Sequence, residues 1–174
     1  MAIRMAVAGD ASRIAALHCA SWRDAYKNVL ERAYLEGPIE ADRRAFWSGR
    51  FAEPDPARTV FVADAPGESL VGFVCIQQDV DAEWGSLIDN LHVAPALRGE
   101  GVGAQLMRTA ALSLSGGSRT TRLHLWVFEA NEAGLRFYRR LGGEVVERGS
   151  SRIPAATGAA VLRVFWPDLS VLTG

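Results

Sequence analysis

The sequence predicts one mixed α/β domain over residues 1–174, in which antiparallel hairpins lead into a central parallel strand–helix–strand crossover and helices cover both faces of the sheet. Three observations predict this fold. Apolar residues recur at helical spacing in the first third of the chain, strand-like segments separated by turn residues begin at Thr59, and a strand, a helix and a strand follow one another between Trp84 and Phe128. Such a unit closes as a right-handed parallel crossover, and a chain of this length fits one core.

The first third of the chain is predicted to be helical. Asp10 is a candidate N-cap for a helix over residues 11–26, whose apolar residues share one face. Two shorter helices are predicted over residues 31–36 and 39–51. A Gly-Pro pair separates these two helices, and a Pro-Asp-Pro tripeptide follows the second.

The sheet is predicted to begin with a hairpin. Residues 60–63 and 70–77 are its strands, and residues 65–68 form the turn between them. Residues 84–93 follow as a strand with apolar groups on both faces, which indicates a central position in the sheet. The remaining elements are predicted as a helix over 102–114, a strand over 121–128, a helix over 132–141 capped by Asn131, and strands over 144–148 and 160–166.

Composition excludes several classes of function. The formal net charge is -1, so a surface that neutralises many phosphates is absent and nucleic acid is not expected as a partner. Cys19 and Cys75 form no closely spaced pair, and the three histidines lack metal-ligand spacing, so no metal site is expected. No run approaches the roughly 18 apolar residues of a membrane span, so we expect a cytoplasmic protein without a membrane partner and with reduced thiols.

A glycine-rich segment between the central strand and the next helix is the first candidate binding site. It runs from Arg98 to Gly103 with glycines at alternate positions, so backbone N–H groups can point into one concavity at a helix N-terminus. Such a concavity binds phosphate, and Arg98 can add a charged donor. By itself, the segment is equally typical of an ordinary flexible loop.

The same segment also satisfies the fingerprint of dinucleotide-binding proteins. Gly99-x-Gly101-x-x-Ala104 has Ala in the last place, and Glu129 stands near the end of the next strand, where a ribose ligand belongs. However, residues 94–98 separate the strand from the first glycine, and the preceding sheet is predicted to be antiparallel. A nicotinamide-dependent oxidoreductase is therefore the weaker alternative.

Two further motifs are specific: residues 91–103 have the sequence LHVAPALRGEGVG, and residues 131–142 have the sequence NEAGLRFYRRLG, with an Asn, an aromatic-Tyr pair and a closing Gly. The first looks like the acetyl-CoA motif of the GCN5-related N-acetyltransferase (GNAT) family, and the second resembles the second motif of that family. The resemblance extends from about Ile3 to Phe165, and its specific part lies within residues 87–143. Gly143 departs from the pattern, because the family commonly places Phe after the closing Gly.

The resemblance implies that acetyl-CoA is the cofactor and implies residues that bind it. In the family, the strand matching residues 87–93 splays from the strand matching residues 121–128, and the pantetheine arm pairs with backbone groups in the gap. The Val93 N–H could also polarise the thioester carbonyl. Asn131 would contact the cofactor in addition to capping its helix. The implied cofactor-binding residues are Leu91, His92, Val93, Arg98, Gly99, Glu100, Gly101, Val102, Gly103, Ala104, Asn131 and Tyr138.

The resemblance implies a catalytic acid, and position on the central strand suggests a general base. The family motif places Tyr138 beside the thioester sulfur, where a phenol can protonate the departing thiolate; the alternative is a core Tyr packed against Phe137. Asp89 is a candidate general base, acting directly or through water, or else the partner of an arginine. Strand alternation puts Asp89 on the face of Leu87 and Val93. Glu83 and His92 are weaker candidates for the base, and His92 takes the opposite face unless a bulge intervenes.

The acceptor site is predicted on the first helix. Trp22 and Tyr26 share a face there and suit an aromatic wall for an amine or a flat apolar group, although an aromatic stripe is also typical of a core. The predicted function is transfer of an acetyl group from acetyl-CoA to a primary amine of a small molecule or peptide by direct attack. A catalytically silent CoA-binding sensor is the other alternative. Residues 155–160 fit either a loop over the pocket or a homodimer contact.

Overall fold

The computed structural model describes residues 1–67, 69–156 and 158–174. Its strands are β1 (Ala2–Met5), β2 (Arg58–Asp64), β3 (Leu70–Asp81), β4 (Gly85–Val93), β5 (Leu123–Phe128), β6 (Glu144–Ser150) and β7 (Ala160–Trp166). Its α-helices are α1 (Ala11–Ala25), α2 (Arg32–Glu36), α3 (Ile39–Ala52), α4 (Val102–Ser115), α5 (Glu132–Arg140) and α6 (Ser170–Thr173).

The strands form one mixed sheet in the order β1-β2-β3-β4-β5-β7-β6. β2, β3 and β4 pair antiparallel in turn, whereas β4 and β5 run parallel and α4 connects them. The predicted mixed α/β fold, with hairpins that lead into a parallel crossover, is therefore confirmed. The predicted turn over residues 65–68 and the predicted loop or contact over residues 155–160 include Glu68 and Thr157, which lie outside the described residues.

Two short elements are not predicted from the sequence. β1 has four residues and no clear alternation, and its pairing with β2, from Ala2 opposite Asp64 to Met5 opposite Phe61, is what defines it as a strand. α6 is a single turn at the end of the chain. Both elements depend on contacts with distant residues, which local patterns do not encode.

Two apolar layers cover the two faces of the sheet. On one face α1 and α3 bury Ile14 and Trp47 against Phe73, and on the other α4 buries Leu106 and Met107 against β3, β4 and β5. β4 is therefore covered on both faces, as predicted. Within the described residues, no helix combines the length and the apolar character needed to cross a bilayer.

A β-bulge interrupts the alternation of β4. Asn90 lies opposite Cys75, but the next pair joins Ile88 and Ile76, so Asp89 is the extra residue. His92 consequently faces the α1 side of the sheet, where its ring contacts Phe73. Asp89 shares the face of Leu87 but not that of Val93, which packs with the α4 layer. The predicted alternation of Asp89 with Val93 is wrong because the bulge shifts the register by one residue.

Asp10 immediately precedes α1 as predicted, but its predicted role as a capping side chain is wrong. Its carboxylate makes no capping bond to α1. Instead it accepts hydrogen bonds from Arg4 Nη1 at 2.7 Å, Arg13 Nη1 at 3.1 Å and the Val7 N–H at 2.9 Å. Two guanidinium groups attract a buried carboxylate more strongly than a backbone N–H does. Asp10 thus ties β1 to the start of α1.

Replacing Asp10 with Asn should lower the free energy of unfolding by about 1–3 kcal/mol at neutral pH, because the buried site loses its negative charge. The hydrogen bond from Arg4 lowers the pKa of Asp10 from its usual 3.8 to about 2. The stabilisation is therefore present above about pH 4 and is lost as the pH falls through about 2. Urea denaturation between pH 7 and pH 2 should show that the free energies of unfolding of the variant and the wild type converge as the pH approaches 2.

Glu40→Gln is the matched control for that experiment. It removes one carboxylate of the same kind of pair, Arg23 with Glu40 at 2.8 Å, but both side chains are largely exposed. Solvent screening should make its effect small at every pH. Equal destabilisation by the two substitutions would contradict the role assigned to Asp10.

Candidate active site

A gap opens between β4 and β5 beyond Ile88. The two strands are paired from Ser86 to Ile88, opposite Leu123 to Leu125, and no ladder between them continues past this point within the described residues. On its other side β4 remains bonded to β3, where the Ala94 N–H donates to the Val71 carbonyl at 2.8 Å. Backbone groups alternate in direction along a strand, so those of Val93 and Leu91 face the gap.

A cavity of about 430 Å³ lies at this gap. Residues of α1 form one wall, the end of β4 forms the floor, and the loop after β4 together with α4 and α5 forms the other wall. Its lining residues are Ser21, Ala25, Tyr26, Leu91, His92, Val93, Leu97, Arg98, Gly99, Gly101, Gly103, Ala104, Asn131, Ala133, Gly134, Phe137, Tyr138, Arg140 and Leu141.

The glycine-rich loop gives one end of the cavity a positive potential. Gly99 and Gly101 have φ values of +91° and +82°, which residues other than Gly rarely adopt. A Cβ atom on either residue would meet nothing within 4 Å, so the space beside them is open. α4 begins directly after Gly101, and its first N–H groups and its dipole favour an anion there.

Arg98 lies at the rim of the cavity and is bonded to α1. Its guanidinium forms an ion pair with Asp24, and Nη2 donates to Ser21 Oγ at 3.3 Å. Arg98 and Asp24 are both partly exposed, so the pair is weak enough for a multiply charged anion to compete with it. Arg98 is thus within reach of both the glycine loop and α1.

Tyr138 lines the cavity from α5. Its ring packs edge-on against Phe137 at 5.1 Å and Trp166 at 6.1 Å. Burial raises the pKa of Tyr138, and the nearby Tyr26 raises it further. The phenol therefore stays protonated at physiological pH and remains a hydrogen-bond donor.

Asn131 begins α5 at the same end of the cavity. Its Oδ1 accepts from the Gly134 N–H at 3.0 Å, which confirms the predicted N-cap. Burial raises the pKa of Tyr26, and a hydrogen bond with the Asn131 side chain opposes part of this shift. The cap therefore also connects α5 to α1 across the cavity.

Trp166 occupies the space beside Gly143. A Cβ atom on Gly143 would lie 2.6 Å from Trp166 Cζ2, too close for any side chain. Trp166 is fully buried, and its Nε1 donates to the Leu141 carbonyl at 2.9 Å. An aromatic ring from β7 thus packs behind Tyr138 and explains why position 143 carries no Phe.

The glycine loop, the strand gap and Tyr138 all lie within a segment that matches a known family. A model of the acetyltransferase (GNAT) family matches residues 14–143. The chain belongs to the GNAT family. Acyl transfer is accordingly its general activity, and the family uses acetyl-CoA.

Solved structures show the same fold. The PaiA N-acetyltransferase of Thermoplasma acidophilum, in complex with coenzyme A, is 17% identical with a TM-score of 0.73, covering 94% of this chain and 98% of that chain. A GCN5-related N-acetyltransferase of Rhodopseudomonas palustris is 23% identical with a TM-score of 0.74, covering 95% and 94%. Nourseothricin acetyltransferase is 28% identical with a TM-score of 0.57, covering 67% and 69%.

His92 is a neutral group in this GNAT site. Its Nδ1 lies 2.9 Å from Ser21 Oγ, and its ring lies 4.4 Å from the ring of His18. Burial lowers the pKa of His92 to about 3, and the charges of Arg98 and Arg43 also act to lower it. An imidazole with this pKa is a poor acceptor for the proton of an amine.

Asp89 is paired with an arginine. Its Oδ2 lies 2.5 Å from Arg50 Nη1 and accepts from Asn90 Nδ2 at 2.9 Å. Asp89 is not among the residues that line the cavity, and Glu83, the other acidic candidate, is exposed in the turn before β4. The ion pair favours the second of the two predicted roles of Asp89, and its role as general base stays a prediction.

The structure brings most of the predicted site residues together at the cavity. Four do not line it, for different reasons. Val102 is buried in the α4 layer, and Trp22 is buried behind Tyr26, with their ring centroids 6.0 Å apart. Glu100 is exposed at the tip of the loop, and Asp89 faces α3.

Ser21 has no role predicted from the sequence, yet it links two cavity residues, Arg98 and His92. Helical spacing carries a signal for it, because Ser21 and Ala25 are four residues apart and therefore share a helix face beside Tyr26. Phe137 and Arg140 also line the cavity, and their spacing from α5 residues of the family motif places them on the same helix face.

Proposed function

We propose that the protein transfers the acetyl group of acetyl-CoA to a primary amine of a small molecule or peptide, by direct attack of the amine. One observation carries this proposal. A single cavity joins an anion-binding helix N-terminus, at Gly101, to unpaired strand backbone at Leu91 and Val93 and to a protonated phenol at Tyr138. These three features match the pyrophosphate, the pantetheine amides and the thioester sulfur of acetyl-CoA.

Different residues along the cavity would bind different parts of acetyl-CoA. The N–H groups at the start of α4 would hold the pyrophosphate, with Arg98 as the charged donor. The gap-facing backbone groups of Leu91 and Val93 would pair with the amides of the arm as a neighbouring strand would. The Val93 N–H would then be placed to stabilise negative charge on the carbonyl oxygen.

The chemistry needs a neutral amine and a proton for the leaving sulfur. The amine nitrogen attacks the carbonyl carbon, so a C–N bond forms while the C–S bond breaks. Tyr138 would donate its phenolic proton to the sulfur, and the proton lost by the nitrogen would return, through water, to the phenolate. The sum is one amide and one thiol, without any other reactant.

Membership of the GNAT family argues against a nicotinamide-dependent oxidoreductase. A CoA-binding sensor remains the rival, since it would use the same binding residues. The presence of a buried, protonated Tyr138 in the cavity supports transfer over sensing. The cytoplasm is the compartment we propose, where Cys19 and Cys75, both buried, would stay reduced.

Gly101→Glu should abolish CoA binding, because it places a carboxylate at the anion site. Isothermal titration calorimetry measures the loss directly. Gly67→Glu is the matched control, since Gly67 also has a positive φ of +85° and open space around its Cβ but lies in the β2–β3 turn. The two substitutions should cost similar stability. Undiminished affinity in Gly101→Glu would remove the proposed pyrophosphate site.

Tyr138→Phe should lower kcat by about 100-fold or more, because the departing sulfur loses its proton donor. The Kd for acetyl-CoA should stay within about 2-fold, since one hydroxyl contributes little to the binding of so large a ligand. Thiol release and calorimetry give the two values.

Tyr26→Phe is the control, because it removes a hydroxyl from the opposite wall of the same cavity. Its loss in kcat should be less than about 10-fold. Unchanged turnover in Tyr138→Phe would rule out the acid role, and binding without turnover in the wild type would favour the sensor.

A further inference from the structure

Arg43 of α3 is a half-buried cation without a carboxylate partner. Its guanidinium carbon lies 4.8 Å from the centroid of the Trp22 ring and 4.6 Å from that of Phe46. Contacts with rings offset part of its charge, and its side chain also forms a hydrogen bond with Tyr34, a neutral group. Across the described residues no ion pair of Arg43 occurs, and its buried Nε has no hydrogen-bond partner.

Arg50, further along α3, shows how this chain stabilises a similar cation. Its guanidinium lies 4.2 Å from the same Phe46 ring, yet it also pairs with Asp89 at 2.5 Å. The two arginines therefore share an aromatic ring, and only Arg50 has a carboxylate from the described part of the protein. A half-buried guanidinium with a buried, unpartnered Nε and no carboxylate partner among the described residues is suited to an anionic acceptor from elsewhere.

A second buried donor without a partner lies near Arg43, on His18. His18 is fully buried, and its Nδ1 accepts from Trp47 Nε1 at 3.0 Å, which places the proton of the neutral ring on Nε2. That Nε2 also lacks a partner among the described residues. The His18 ring lies 4.7 Å from Trp22, so both unmet donors flank one tryptophan.

Arg43 does not line the cavity and is separated from it by Trp22. Tyr26 lines the cavity, Trp22 contacts Tyr26 at 6.0 Å, and Arg43 lies over Trp22. The positive charge of Arg43 also contributes to the lowered pKa of His92 at the cavity floor. An acceptor bound in the cavity would therefore have to extend past the edge of Trp22 for its carboxylate to reach Arg43.

We infer that Arg43 binds a carboxylate of the acceptor, so that the amine substrate also carries a carboxylate, as an amino acid or a short peptide with a free C-terminus does. The planar fork of Arg matches a carboxylate in two parallel hydrogen bonds. This inference rests on the proposed acetyl transfer and names its substrate class. Trp22 does not line the cavity, but the inference assigns it a role in the acceptor site because its ring packs against Arg43.

The test compares acceptors that differ only in the carboxylate. Thiol release from acetyl-CoA is measured with phenylalanine, phenylalaninamide and phenethylamine, and with glycylglycine and glycylglycinamide. Within each series the rates are compared at equal concentrations of the neutral amine, so that a preference for the acid cannot come from amine protonation. We expect kcat/KM to favour the acid of at least one series by about 10-fold or more.

Arg43→Leu should lower kcat/KM for that acid by about 10- to 100-fold and leave the value for its amide within about 2-fold. Arg43→Lys keeps the charge and the apolar stem but loses the planar fork. Its kcat/KM for the acid should lie between the values of the wild type and of Arg43→Leu. Arg44→Leu is the matched control, because it removes an exposed arginine from the next position of α3 and should change neither value.

An equal response of acid and amide to Arg43→Leu, or acetylation of the amides alone, would overturn the inference while the proposed transfer stands. Failure of every amine despite acetyl-CoA binding would count against both. If Arg43→Leu does not fold, the Arg43→Lys variant and the acid-to-amide preference of the wild type still distinguish these outcomes.

Discussion

The divergence of β4 from β5 beyond Ile88 is the constraint on which the rest of the site depends. A central strand with one bonded edge has backbone donors and acceptors that need partners. Leu91 and Val93 present theirs to the cavity, so a ligand with amides is the natural complement. The layers on the two faces hold this gap open, with α1 on one side and α4 and α5 on the other, and Trp166 supports the ring of Tyr138 where a Phe at position 143 cannot fit.

Charge is distributed to suit an uncharged reaction centre. His92 at the cavity floor and His18, whose ring packs against it, are buried and neutral, and the pKa of Tyr138 is raised, so the groups closest to the proposed thioester position carry no charge at physiological pH. The cations lie further from this position. Arg98 lies at one end of the site, beside the glycine loop, and Arg43 lies behind Trp22 near the other end. A dianionic pyrophosphate and a carboxylate at these two ends would orient both substrates toward Tyr138.

Much of this arrangement could be predicted from the sequence. The glycine segment, the Asn131 cap and the succession of elements along the chain from α1 to β7 follow from local patterns, because backbone conformation and hydrophobic periodicity are local properties. The bulge at Asp89 could not be predicted, since it depends on the register with β3, and it reverses the face of every later residue in β4. The capping role predicted for Asp10 is wrong because Arg4, which lies on another element, donates hydrogen bonds to its carboxylate. Helix face alone predicts that Trp22 lies at the site, but it does not distinguish a cavity wall from the layer behind it.

The most direct test of the proposed cofactor site is thermal unfolding of the purified protein with acetyl-CoA and, separately, with NADH. A ligand that binds only the native state raises the midpoint by mass action, by about 5–10 °C for a domain of this size at 100-fold excess over Kd. We expect acetyl-CoA to raise the midpoint and NADH to leave it unchanged. A rise with NADH alone would contradict the proposed site and restore the dinucleotide fingerprint as the explanation of the glycine loop.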